Sequence, residues 1–156
     1  MPIYMNFKGI DGDSTNAQFP NWFEVSSYSW GDSAGTQSHG SGGGAGKVQF
    51  EDLHFSKRTG KGSPLLMLAC ATGKHLPAVQ LVVTKASTDQ QEVFLKITLA
   101  DVLISSYHQG GDAGDMPQDD VSLNFGAIEY DQTIMMADGS VSVQSASWDL
   151  SHGRTG

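Results

Sequence analysis

The feature that most constrains this chain is an apolar alternation of period two that keeps changing phase. Ile3, Met5 and Phe7 alternate with Tyr4 and Asn6, which predicts a first strand. Phe23 and Val25 share one parity and Tyr28 and Trp30 the other, so the phase slips near Ser26–Ser27. Val48 and Phe50 give way to Leu53 and Phe55, and Val93, Leu95, Ile97 and Leu99 to Val102 and Ile104. Val121, Leu123 and Phe125 give way to Ile128 and Tyr130, and Val141 and Val143 to Ala146, Trp148 and Leu150. An apolar set cannot change face without turning to water, so each slip predicts a bulge or a sharp bend. Long antiparallel strands bent midway curl a sheet towards closure. The fold class expected is mainly β: strongly bent antiparallel strands forming a β-barrel of two sheets, with one flanking α-helix, as a single domain over residues 1–156.

One segment breaks the pattern. Ser63 suits an N-cap and Pro64 the first helical position, and Leu65-Leu66-Met67-Leu68-Ala69-Cys70-Ala71 follows. Gly73 then supplies a left-handed residue, with Lys74 and His75 at the negative end, so a helix is predicted over about 64–72. It is apolar nearly all round and is expected to be largely covered, closing an opening or flank of the barrel.

Two long loops are expected. Residues 31–46 interleave seven glycines with Ser33, Ser38 and Ser41, and Gly110–Asp120 carries Asp112, Asp115, Asp119 and Asp120. Charge is unevenly distributed. The stretch 47–88 holds six of the nine basic residues, whereas 89–153 is acidic with only Lys96 against it. Solvated faces account for this; complementary surfaces that favour self-association in a fixed orientation are the other reading. The net charge of −8 argues against nucleic acid, because a phosphate backbone demands a basic surface. No apolar run of ~18 residues is present, so no membrane insertion is expected. The N-terminal stretch carries no basic region followed by an apolar run, so no secretory signal is read and the chain is expected to be made in the cytoplasm.

The chemical motifs fail one by one. Ser41-Gly42-Gly43-Gly44-Ala45-Gly46-Lys47 lacks the leading glycine of a phosphate loop, and Val48 stands where Ser or Thr would hold magnesium. Cys70 with His75 could pair as thiol and base, but a lone Cys in an apolar helix reads as a small core residue. The five histidines show no zinc-ligand spacing, and Asp11-Gly12-Asp13 meets Trp22 where a calcium loop requires Glu. Asp112 to Asp120 reads as turn chemistry before it reads as a cation site. No catalytic residue, metal ligand or cofactor site is expected, and the chain is not read as an enzyme.

An ordered set of short stretches nevertheless resembles one family. They are Ser29-Trp30-Gly31, Gly42-Gly43-Gly44-Ala45-Gly46-Lys47-Val48, Ser63-Pro64-Leu65 and Ala69-Cys70-Ala71-Thr72-Gly73-Lys74-His75. Ile97-Thr98-Leu99, Val102-Leu103-Ile104-Ser105-Ser106-Tyr107, Val121-Ser122-Leu123-Asn124-Phe125, Ala137-Asp138-Gly139 and Trp148-Asp149 follow. Together they resemble the haemolysin-coregulated protein (Hcp) family, the tube protein of type VI secretion systems, from about residue 3 to 150. The chain departs from that pattern at Ile134-Met135-Met136, where relatives tend to be polar, and no fused toxin domain is expected after Trp148.

The resemblance implies a structural subunit of a hexameric ring that stacks into a tube. That tube is driven out by a contractile sheath beneath a spike protein and is able to hold effector proteins in its lumen. It also implies secretion without a signal peptide. The residue matching Ser29 lies on the inner wall in the family, so Ser29 is the lumen and cargo candidate. Ring stacking is expected from the glycine-rich loop and the basic stretch, with Gly42, Gly43, Gly44, Lys47, Lys57, Arg58 and Lys61 as candidates. The alternative is a monomeric β-barrel module that binds a carbohydrate-like ligand, with Trp22 beside Asp112–Asp120 as its best pairing.

Overall fold

A computed structural model of the chain describes residues 1–35, 48–86 and 91–156. Its strands are β1 Ile3–Phe7, β2 Phe23–Val25, β3 Ser27–Ser29, β4 Asp32–Ala34, β5 Val48–Phe50 and β6 Leu53–Arg58. Helix α1, Ser63–Thr72, comes next, then β7 Leu76–Ala86, β8 Gln91–Gly110, β9 Gln118–Met135 and β10 Val141–Asp149. The mainly β fold with one flanking helix is as expected. Its strands join as one antiparallel eight-stranded sheet, β2-β1-β7-β8-β9-β6-β3 with β10 beside β9, and β4–β5 form a separate ribbon. The sheet nearly closes through residues 23–29. β2 pairs with β1, β3 pairs with β6, and the Ser26 N–H between them donates to Ser56 O at 2.8 Å.

The phase slips have different physical origins. Pro77, Asp101 and Gly126 stand in line across β7, β8 and β9, between regular pairs on either side. Proline has no N–H for the ladder, Asp101 takes a left-handed φ of 54°, and a Cβ at Gly126 would meet the Asp101 side chain at 3.1 Å. The sheet bends there, and Ile97, Leu99, Val102 and Ile104 of β8 and Val121, Leu123, Phe125 and Ile128 of β9 all reach the core from both sides of the bend. At 26–27 one residue separates β2 from β3, and at 51–52 the chain passes from the ribbon into the main sheet.

β10 contradicts the expectation. Its ladder with β9 runs unbroken from Val141–Met135 to Asp149–Ala127, with no bulge. Its two apolar sets simply face opposite ways, leaving Val141 57% and Val143 59% exposed.

The core gathers Met5, Phe7, Leu53, Phe55, Leu81, Ile97 and Leu123, with Leu66 and Ala69 of α1 against them. Gly62, at φ 88°, is the N-cap of α1 in place of Ser63, which lies inside the first turn. Any side chain at Gly62 would strike Asp11 O, at 2.5 Å from its Cβ. The C-terminus ends as expected, with Gly73 at φ 63° and the Lys74 N–H returning to Ala69 O at 3.1 Å. The covering expected of α1 is not met among the described residues, for Leu65, Met67 and Leu68 remain about half exposed, at 50%, 48% and 52%.

Both long loops are shorter than expected. Asp32–Ala34 is strand, paired with Val48–Phe50, and the remainder of the 31–46 stretch falls almost wholly outside the described residues. The acidic loop spans only 111–117, because Asp119 and Asp120 belong to β9.

Candidate interaction face

Ser29 is exposed on β3, opposite His54 of β6; His54 faces Ser122 of β9, and Ser122 faces Ser106 of β8. One step along, Ser27 faces Ser56, Ser56 faces Asp120, and Asp120 faces His108. Two rows of four residues thus cross four strands with no apolar side chain among them, lining a shallow depression of about 490 Å³. Period two puts them on the side opposite Phe55, Val121 and Leu123, so the face belongs to water while its reverse belongs to the core. His54 Nδ1 lies 2.5 Å from Ser122 Oγ, and the Ser56 hydroxyl donates to Asp120. Sequence reasoning singled out Ser29 alone. The other seven share its face only through register, which the sequence does not state.

Beneath this face lies a polar cluster. Lys57 Nζ stands 2.9 Å from Asp119 Oδ2, with the two side chains 2% and 0% exposed. Asp119 also accepts from Ser63 Oγ at 2.5 Å, Thr59 Oγ1 at 2.7 Å and the Tyr107 hydroxyl at 2.9 Å. Lys57 donates to Ser63 Oγ at 2.8 Å and Arg58 O at 3.1 Å, and its ammonium lies 4.9 Å from the Phe23 ring centroid. Burial pushes the Asp119 carboxyl up, but the hydrogen bonds from Ser63, Thr59, Lys57 and Tyr107 outweigh it and hold the group below its ordinary value. Burial, then the hydrogen bond to Asp119 and its charge, push the Tyr107 hydroxyl up to about 12.

This cluster corrects one expectation. A side chain buried against its own chain's carboxylate cannot reach a neighbouring ring, so Lys57 leaves the stacking set. Arg58 and Lys61 are exposed, while Gly42, Gly43, Gly44 and Lys47 lie outside the described residues.

The other candidates resolve locally. His75 Nδ1 pairs with Asp101 Oδ1 at 3.1 Å, and Cys70 packs partly against the core. Asp112 Oδ1 accepts from Gly114 N at 2.8 Å and Asp115 Oδ1 from Met116 N at 2.7 Å, as turn-forming aspartates do. Among the described residues no three His, Cys, Asp or Glu side chains converge, and no helix is long and apolar enough to cross a membrane. Trp22 packs beside Tyr4, Phe19 and Val82, with its ring centroid 5.0 Å from that of Phe19. It is therefore a partly buried partner of that cluster.

Comparison with known proteins agrees with this geometry. Residues 4–132 match the family model described as type VI secretion system effector, Hcp. The curated protein hcp1 of Pseudomonas aeruginosa is 42% identical over 95 residues, covering 60% of this chain. That match spans 59% of the relative's own length. Among solved structures, Hcp1 from Salmonella typhimurium superposes with a TM-score of 0.82 at 26% identity, covering 99% of this chain and 97% of that one. A structure of a type six secretion system protein gives a TM-score of 0.88 at 22% identity, with 99% of both chains covered.

Proposed function

The chain belongs to the Hcp family of type VI secretion proteins, structural and secreted rather than enzymatic, and from that premise we propose that it is the subunit of a homohexameric ring. Rings stack into the inner tube, assemble in the cytoplasm with spike, sheath and effector proteins, and leave the cell with the tube. The two-row polar face around Ser29 supports this reading most. A wall of short hydroxyls, imidazoles and one carboxylate offers many weak hydrogen bonds and no apolar anchor. Cargo is held on such a wall yet released when rings come apart.

Light scattering with negative-stain microscopy tests the reading. The expected result is a species six times the 16.6 kDa chain mass, seen end-on as a ring. A monomer across micromolar concentrations would sink it.

A further inference from the structure

Two apolar surfaces remain uncovered among the described residues, and both contradict a pattern that holds elsewhere in the chain. The first is the outer side of α1, where Leu65, Met67 and Leu68 are about half exposed. The second is the outer face of the β9–β10 hairpin, where Val141 faces Met135 across the ladder and Val143 is its neighbour on that face. These three are 57%, 54% and 59% exposed, beside a tip where Ile134-Met135-Met136 adds further apolar surface. Hydrophobic groups of this size, set together on a face, mark a contact with another molecule.

The two patches do not cover each other within one chain, for both remain exposed. α1 starts beside Asp119, through Ser63, whereas the hairpin tip begins at Met135. Sixteen residues of strand separate those points, a contour of roughly 50 Å at about 3.3 Å per residue, bent once at Gly126. Their surroundings differ in sign. Exposed Lys61 and Lys74 flank the helix, whereas Glu129, Asp131 and Asp138 flank the hairpin, where Lys96, opposite Asp131, is the one basic residue between 89 and 153. Two different patches with matching apolar character and opposite charge make a heterologous, head-to-tail contact between identical chains.

We propose that α1 of one copy packs on the outer face of the β9–β10 hairpin of the next copy. The contact rests on the self-assembly proposed above and names two of the surfaces that carry it. It explains why the chain tolerates an apolar helix side and two valines facing out from a regular strand: both are interior positions of the assembly.

Cross-linking tests it. In a Cys70→Ala background, Leu68→Cys and Val143→Cys are introduced singly and together, since a disulfide forms only where Cα atoms come within about 7 Å. Under mild oxidation the double variant is expected to give a ladder of covalent oligomers, about ten-fold more than either single variant. A mixture of the two singles should stop at dimers. Hexamers in light scattering without a ladder would overturn the contact and leave the ring reading intact. A ladder-free monomer would overturn both. Dimers from Val143→Cys alone would show an isologous hairpin contact and reject the head-to-tail arrangement. As a second readout, Leu65→Asp with Leu68→Asp should retain the circular dichroism of the folded chain while losing assembly; unchanged assembly counts against the proposal.

Discussion

Lys57 and Asp119 stand directly opposite each other on β6 and β9, with Nζ 2.9 Å from Oδ2 and both side chains out of water. Ser63 bonds both partners, so the pair fastens the first turn of α1 to the barrel. Removing either member leaves the other charge buried and uncompensated. Asp119→Ala or Lys57→Ala should therefore cost about 3–5 kcal/mol in urea unfolding. Lys57→Met with Asp119→Leu should recover much of that loss, because the buried charges go together. It should not recover all, since Ser63, Thr59 and Tyr107 lose their acceptor. A double variant as unstable as the singles would contradict this account.

The same cluster sets the pH limits. The Asp119 carboxyl is held below its ordinary value, so its contribution is present above the unfolded pKa near 4 and is lost as pH falls through the lower folded value. Tyr107 is raised to about 12, so its contribution is complete below the unfolded value near 10 and is lost as pH rises towards 12. Stability measured by denaturant should fall below about pH 4 and again above about pH 10. With Tyr107→Phe the alkaline loss should shrink while the acid loss remains.

At the bend, Asp101 holds a left-handed backbone that suits glycine better than aspartate. Asp101→Gly should be neutral or stabilising by up to about 1 kcal/mol, because the exposed pair with His75 contributes little. Asp101→Val should cost about 1–3 kcal/mol. Gly126→Val, which pushes a side chain into Asp101, should cost a similar amount. Thermal unfolding of the three variants ranks them. A destabilising Asp101→Gly would show that the His75 pair carries more than its exposure suggests.

How much of this was legible follows from parity. Alternation located the strands, because burial of one face forces period two, and the bends at Asp101 and Gly126 appeared as slips of phase. The buried pair is legible in parity too: Lys57 continues the Leu53–Phe55 parity and Asp119 continues the Val121–Leu123–Phe125 parity. Two opposite charges on core-facing parities of separate strands signal a buried pair, although charge by itself suggests exposure. The polar face stayed hidden because register joins residues 29, 54, 122 and 106, which no local pattern connects. β10 and α1 misled for a shared reason. Patterning arguments assume that one chain supplies its own cover.

Stacking should depend on the basic residues that remain exposed. Arg58→Glu with Lys61→Glu is expected to leave rings that no longer form tubes, and tube length in the unaltered protein should fall as salt screens the contact. Microscopy of tubes across a salt series measures both. Tubes unchanged by the double reversal would move stacking to uncharged contacts.

On the polar face, Ser29→Gln places a long amide in the row with His54, Ser122 and Ser106. Cargo retention should drop, read as the amount of effector protein co-purifying with the ring, while ring assembly is unaffected. Equal co-purification would remove Ser29 from the cargo surface.

The near-closure of the sheet has a consequence for biosynthesis. β6 lies between β3, which precedes it, and β9, which begins sixty residues after β6 ends at Arg58. While the ribosome is still making that interval, β6 keeps one edge open, and Lys57 waits for a carboxylate not yet translated. Helix α1 can form early, from local contacts, but its anchor at Asp119 arrives late. Nascent chains therefore carry an unpaired strand edge through those sixty residues of translation and close only when residues 118–123 emerge. That interval is when neighbouring nascent chains are most prone to pair with one another instead of with themselves.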